Sequence, residues 1–168
     1  MRRVLGVPGS IWLVMCFALA GSSVTLSEPG FILFDHNHIP AAAQNVLEHA
    51  DQFELFSLSP ERLQRPGILD FHGYRVLQQT SVASVETRRR LISALERGVH
   101  ENQGAMAACF NPRHGIRAVR KDQTAEFVIC FECLQVHVHG EGAGEFLVSA
   151  SPKPVFDKVL RDARIPIQ

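Results

Sequence analysis

The stretch GIRAVRKDQTAEFVICFECLQVHVH, residues 115–139, decides the fold class. Its two arms, Gly115 to Arg120 and Ala125 to His139, are rich in β-branched and aromatic residues. Such side chains fit a pleated, half-buried surface. Between the arms lies the polar run Lys121, Asp122, Gln123, Thr124. A polar tetrapeptide between two strand-like runs predicts an antiparallel hairpin. With the turn at 121–124, position 115 faces roughly position 130.

Working outward, Gly140 to Gly144 is a glycine-rich turn, and Glu145 to Ala150 follows as a further strand. Pro152 and Pro154 then open a last helix, whose first turn tolerates proline. Val155, Phe156, Val159 and Leu160 form its apolar stripe. Upstream, Val85 to Val99 is the best helix in the chain. Ser84 can accept from an unsatisfied first-turn N–H, and Glu86 complements the helix dipole. Leu91, Ile92, Leu95 and Val99 fall on one stripe of a 3.6-residue period. Arg88, Arg89 and Arg90 read as a solvated face. Phe53 to Leu58 predicts a first strand, stopped by Ser59-Pro60, and Pro66-Gly67 marks a loop. His72 to Gln79 alternates imperfectly as a second strand. Residues 21–50 read as a loosely structured extension, with a short helix at Ala41 to His49 that has Val46 and Leu47 as a weak apolar face. The sum is an α+β domain over residues 51–168: an antiparallel sheet of about five strands with two main helices on one face.

Bulk composition narrows the function. The 168 residues fit one domain. Hydrophobic residues make up 46% and charged residues 20%, which suits a packed core and not a disordered chain. Lys+Arg and Asp+Glu both number 17, so the formal net charge is zero. Such a chain has no electrostatic footprint for nucleic acid and no polybasic membrane signal.

The N-terminus has the layout of a secretory signal. Arg2 and Arg3 form a basic start, Ile11 to Phe17 an apolar core, and Ala18-Leu19-Ala20 a small-x-small cleavage site. The apolar core is short against the roughly 20 residues of a membrane span. An uncleaved signal anchor over residues 5–20 stays as an alternative. A lipoprotein fits less well, since Met15 and not a small residue precedes Cys16. The address is therefore exported, periplasmic or secreted, with membrane contact only through an uncleaved N-terminal segment. Cleavage at Ala20 removes Cys16 and leaves Cys109, Cys130 and Cys133, an odd number for an oxidising compartment.

These cysteines, with His114, form the chemically suggestive cluster. Cysteine and histidine are favoured zinc ligands, so Cys109, His114, Cys130 and Cys133 are one candidate set. The spacing argues against it. In a regular strand residues 130 and 133 point to opposite faces, and only a bulge or turn would bring them together. A disulfide from Cys109 to Cys130 or Cys133 would instead staple the loop to the sheet. All three could also be buried reduced thiols. Thiol-redox chemistry is a further reading, although the Cys-x-x-Cys lies in a β-rich segment and not at a helix N-terminus. A Cys109/His114 nucleophile pair is weaker again. His137 and His139 share a strand face and could ligate a metal, as could His36 and His38. Arg113, His114 and Arg117 are a candidate cationic site for a carboxylate or phosphate.

Three stretches together are familiar: residues 50–58, residues 109–117 with 128–135, and residues 151–157. They resemble a family of short exported bacterial proteins of unknown function, over about residues 50–168. The resemblance implies a domain boundary near residue 50 and an extracytoplasmic address. It brings no activity or cofactor. The chain carries no glycine-rich phosphate loop, paired-carboxylate motif or nucleophile elbow. The expected function is therefore a non-enzymatic binding or envelope-associated domain, whose partner is a protein or small ligand of the envelope. No cofactor is expected beyond the zinc of the alternative reading, in which the cysteine cluster makes a metal-binding or thiol-redox protein.

Overall fold

The stretch at 115–139 folds as three strands where two were expected. In the computed structural model, which describes residues 36–65, 67 and 70–168, they are β4 (His114–Arg120), β5 (Gln123–Cys130) and β6 (Gln135–Gly140). The expected signal peptide at residues 1–20 lies outside the described residues. The β4–β5 turn is tighter than the polar run suggests. Arg120 pairs with Gln123, and Lys121 has a φ of 55°. Gly115 consequently faces Val128 and not residue 130. The long second arm breaks at residues 131–134, a turn that ends with Leu134 at a φ of 61°.

Seven further elements complete the fold: α1 (Ala41–Glu48), β1 (Gln52–Arg62), β2 (Asp70–Phe71), β3 (Tyr74–Ser81), α2 (Val85–Glu101), β7 (Gly144–Leu147) and α3 (Lys153–Asp162). All strands join one sheet in the order β2-β3-β1-β4-β5-β6-β7, every neighbouring pair antiparallel. The α+β antiparallel architecture is as expected, but larger. The described residues hold seven strands and three helices, against about five and two. β1 runs through Ser59-Pro60 because its pairing with β3 slips between Leu58 and Arg62. Such an irregularity is where a strand accommodates proline. The β2–β3 turn is His72-Gly73, with φ of 54° and 90°. Two central residues with positive φ match the twist of paired strands.

Alternation places one face of the sheet against all three helices. Phe53, Leu55, Ile116, Phe127, Ile129, Val136 and Phe146 meet Val46 and Leu47 of α1, Leu91 and Leu95 of α2, and Phe156 and Leu160 of α3. Each such side chain contributes about 1.5–3 kcal/mol when fully buried. α1, in the expected extension, therefore packs on the core of the domain. Ser84 caps α2 as its position predicts, its Oγ accepting from Thr87 N–H at 3.2 Å. The other face bears a smaller cluster of Phe56, Leu58, Phe71, Tyr74 and Val128, with Val76 and Phe110 packed on it. No helical residue belongs to that cluster.

Candidate functional site

The segment between α2 and β4 is held by specific bonds near the sheet face opposite α1, α2 and α3. Asn102, just past α2, accepts from Gly104 and Ala105 N–H and donates to the carbonyls of Ala105 and Val148. Ala107 N–H donates to Cys133 O at 3.1 Å, and Gln135 Nε2 donates to Ala107 O at 2.6 Å. Phe110 stacks on the His137 ring, with centroids 3.8 Å apart, and meets Tyr74 edge-on at 6.1 Å. Leu58 N–H donates to Arg113 O, which ties the end of the segment to β1.

This segment brings Cys109 to the turn that joins β5 and β6. There Cys130 is bonded to Cys133. Cys109 is an exposed free cysteine whose Sγ lies 3.8 Å from Cys133 Sγ. Thus the disulfide joins the two Cys-x-x-Cys partners, in place of the expected bond from Cys109 to either. The opposed-face objection does not apply, because 131–134 is a turn and not strand. Backbone donors reach both bonded sulfurs. Cys133 N–H lies 3.1 Å from Cys130 Sγ, and Asn111 N–H lies 3.2 Å from Cys133 Sγ.

His114 stands apart from the sulfurs. Its ring points to the helix side, against Phe131 and Phe156. Its Nε2 is 2.9 Å from Asp157 Oδ1. Burial holds the imidazole below its ordinary pKa, against the pull of Asp157. The neutral ring therefore donates Nε2–H to the carboxylate. Burial alone would raise the Asp157 pKa, but hydrogen bonds from His114 and Lys153 outweigh it and hold the value at about 2. The expected zinc set of Cys109, His114, Cys130 and Cys133 is thus split, with two of its sulfurs joined to each other. Among the described residues no group of three or more His, Cys, Asp or Glu is placed to hold a metal.

The Arg113, His114, Arg117 cationic site is likewise divided. Arg113 pairs with Glu132 and Arg117 with Glu126 and Glu54, while His114 faces the helices. Arg117 also lies over the Phe56 and Phe71 rings. His137 and His139 do share a face, as alternation predicts, but each has an aromatic partner. His139 stacks on His72 at 3.7 Å, and His72 Nε2 is 2.7 Å from Glu126. Hydrogen bonds from His72 and Arg117 hold the Glu126 carboxyl at about 2 despite burial. Burial keeps both His137 and His139 below the usual imidazole range. His36 Nδ1 lies 3.4 Å from Glu145 O, and the Glu145 carboxylate lies 3.6 Å from His137 Nε2.

Beside the sulfur cluster a cleft of about 640 Å³ opens on the sheet face opposite the three helices, lined by Arg62, Tyr74, Phe110, Asn111, Arg113 and His137 among others. The Arg62 guanidinium carbon is 6.0 Å from the Tyr74 ring centroid. Arg113 Nε is buried and without a hydrogen-bond partner among the described residues. Phe110 and Asn111 serve both features: one wall of the cleft is the chain that carries Cys109. Sequence spacing missed this site because it gathers residues from β1, β3, the 105–113 segment and β6. Only His137 and Arg113 carried a signal. Phe110 and Asn111 stood beside Cys109 with nothing in their spacing to mark them. Compared with protein-family models, curated proteins and solved structures, the chain finds no match.

Proposed function

We propose that the protein is an exported, non-catalytic binding domain whose ligand site is the cleft between Arg62, Tyr74, Phe110 and His137. The observation that carries this reading is the position of the cleft on the sheet face that, among the described residues, no helix covers. Its volume of about 640 Å³ suits a small ligand or a side chain of a partner protein. Its lining names the chemistry. Phe110, Tyr74 and His137 offer ring faces and edges to a planar group. Arg62 offers donors to a carboxylate or phosphate. The ligand class is thus a ring bearing an anionic group, free or displayed by another envelope protein. Export rests on the basic, apolar and small-residue order of residues 1–20.

The test is amide NMR of the protein titrated with benzoate and with phenyl phosphate. Shifts confined to residues near 60–62, 74, 110–113 and 137, weakened in Arg62→Ala, would support the reading. Saturating ligand with no shift at these residues, or shifts centred elsewhere, would refute it.

A further inference from the structure

We propose that Cys109 is a shuttle thiol that carries exchange between the Cys130–Cys133 disulfide and dithiols outside the fold, so that the domain can donate a disulfide. This stands apart from the ligand cleft and does not depend on it.

Access sets the problem. Cys130 is 1% exposed and Cys133 0% exposed, so an outside thiolate has no open approach to either bonded sulfur. Cys109 is exposed, and its Sγ sits 3.8 Å from Cys133 Sγ. It alone of the three faces both solvent and the bond. Three bonds hold it there without closing it off: Ala107 N–H to Cys133 O, Gln135 Nε2 to Ala107 O, and Asn111 N–H to Cys133 Sγ.

The leaving groups are also provided for. A thiolate departs faster when donors stabilise its charge. Cys133 N–H is already 3.1 Å from Cys130 Sγ, and Asn111 N–H is 3.2 Å from Cys133 Sγ. Once protonated, Cys130 has a carbonyl acceptor in Asn111 O at 3.4 Å.

The chemistry balances without another oxidant. Deprotonated Cys109 attacks Cys133 Sγ. The Cys109–Cys133 bond forms, the Cys130–Cys133 bond breaks, and the electron pair goes to Cys130, which takes a proton from water. One thiolate of an outside dithiol then attacks Cys109 Sγ, giving a mixed disulfide and releasing Cys133 as a thiolate, which is protonated in turn. The second thiol of the same molecule attacks its own sulfur in that mixed disulfide and releases Cys109. In sum the outside dithiol loses two electrons and two protons, Cys130 and Cys133 gain them, and Cys109 is restored.

The full chain, purified oxidised, is treated with dithiothreitol, quenched in acid, alkylated and mapped by mass spectrometry. In Cys109→Ser the disulfide should be reduced more slowly by about tenfold or more, since the direct route is buried. With reduced glutathione, which supplies one thiol, the wild-type adduct should sit on Cys109. Equal reduction rates in wild type and variant, or an adduct on Cys130 or Cys133, would overturn the proposal. Should Cys109→Ser fail to fold by circular dichroism, the wild-type adduct position decides alone.

Discussion

Asn102 uses both ends of its side-chain amide inside the fold. Its oxygen accepts from two backbone N–H groups, and its nitrogen donates to two carbonyls, one of them Val148 beyond β7. The residue is buried. Removing it leaves the Val148 carbonyl short of a donor in a place where water replaces it poorly, while the exposed Gly104 and Ala105 can turn to water. Leaving a buried polar group unsatisfied costs about 1–3 kcal/mol, so Asn102→Ala is expected to lose at least about that much. The loss should appear as a lower urea midpoint with an unchanged slope. Because Asn102 starts the chain that carries Cys109, the variant should also alkylate faster at Cys109 under native conditions. A midpoint within error of wild type would show that the loop is held by Ala107, Gln135 and Asn111 without it.

Helix α2 shows what the sequence can and cannot reveal about an element. Its cap at Ser84 and its stripe of Leu91, Ile92, Leu95 and Val99 are local patterns, and both appear as expected. Gly98 sits within the same helix with no local reason to be glycine. The reason is tertiary: a Cβ there would lie 2.5 Å from Pro152 Cγ and 2.8 Å from Val148 Cγ2. Ser149 N–H also donates to Gly98 O at 2.8 Å, so the chain entering α3 presses on the helix backbone. By propensity alone Gly98→Ala would stabilise a helix by about 1 kcal/mol. Overpacking costs about 1–3 kcal/mol, and backbone-held Pro152 cannot rotate away. The net expectation is destabilisation, read as a lowered Tm; a raised Tm would mean that the α2–α3 junction yields. The same division between local and tertiary runs through the fold. The β4–β5 hairpin and α3 were legible from strand-forming arms, a polar turn and an apolar stripe. The break after Cys130 was not, because Cys130 to Cys133 reads as strand-like apolar sequence, and Phe131 is indeed buried. β2 is two residues long, too short to carry a period. The pairing of His114 with Asp157 spans 43 residues and a sheet-to-helix contact that no spacing rule encodes.

At the scale of the molecule, hydrogen-bonded carboxylates that tie separate elements together set its response to acid. His114–Asp157 ties β4 to α3, and Glu126 ties the His72 turn to Arg117 of β4. Asp157 has its carboxyl lowered from 3.8 to about 2, and Glu126 from 4.5 to about 2. A carboxylate whose folded pKa is depressed binds protons later than it does in the unfolded chain. Its stabilisation is whole above the unfolded value and is lost as pH falls through the folded one. That window runs from about pH 4.5 down to about 2 for Glu126 and from about 3.8 down to about 2 for Asp157. The imidazoles act in the same direction from a higher start. His114, His137 and His139 are held below 6.5, chiefly by burial. Below that value the unfolded chain takes up protons first, and stability begins to fall. The expected profile therefore declines in two stages, gently below pH 6.5 and steeply below about 4.5. Urea midpoints at pH 7, 5.5, 4 and 3 will trace it. Asp157→Asn should be less stable than wild type at pH 7 and should lose part of the steep stage, because its amide has no proton to bind on unfolding. A profile that is flat from pH 7 to 3, or a variant with the full wild-type acid slope, would show that these carboxylates contribute little to stability.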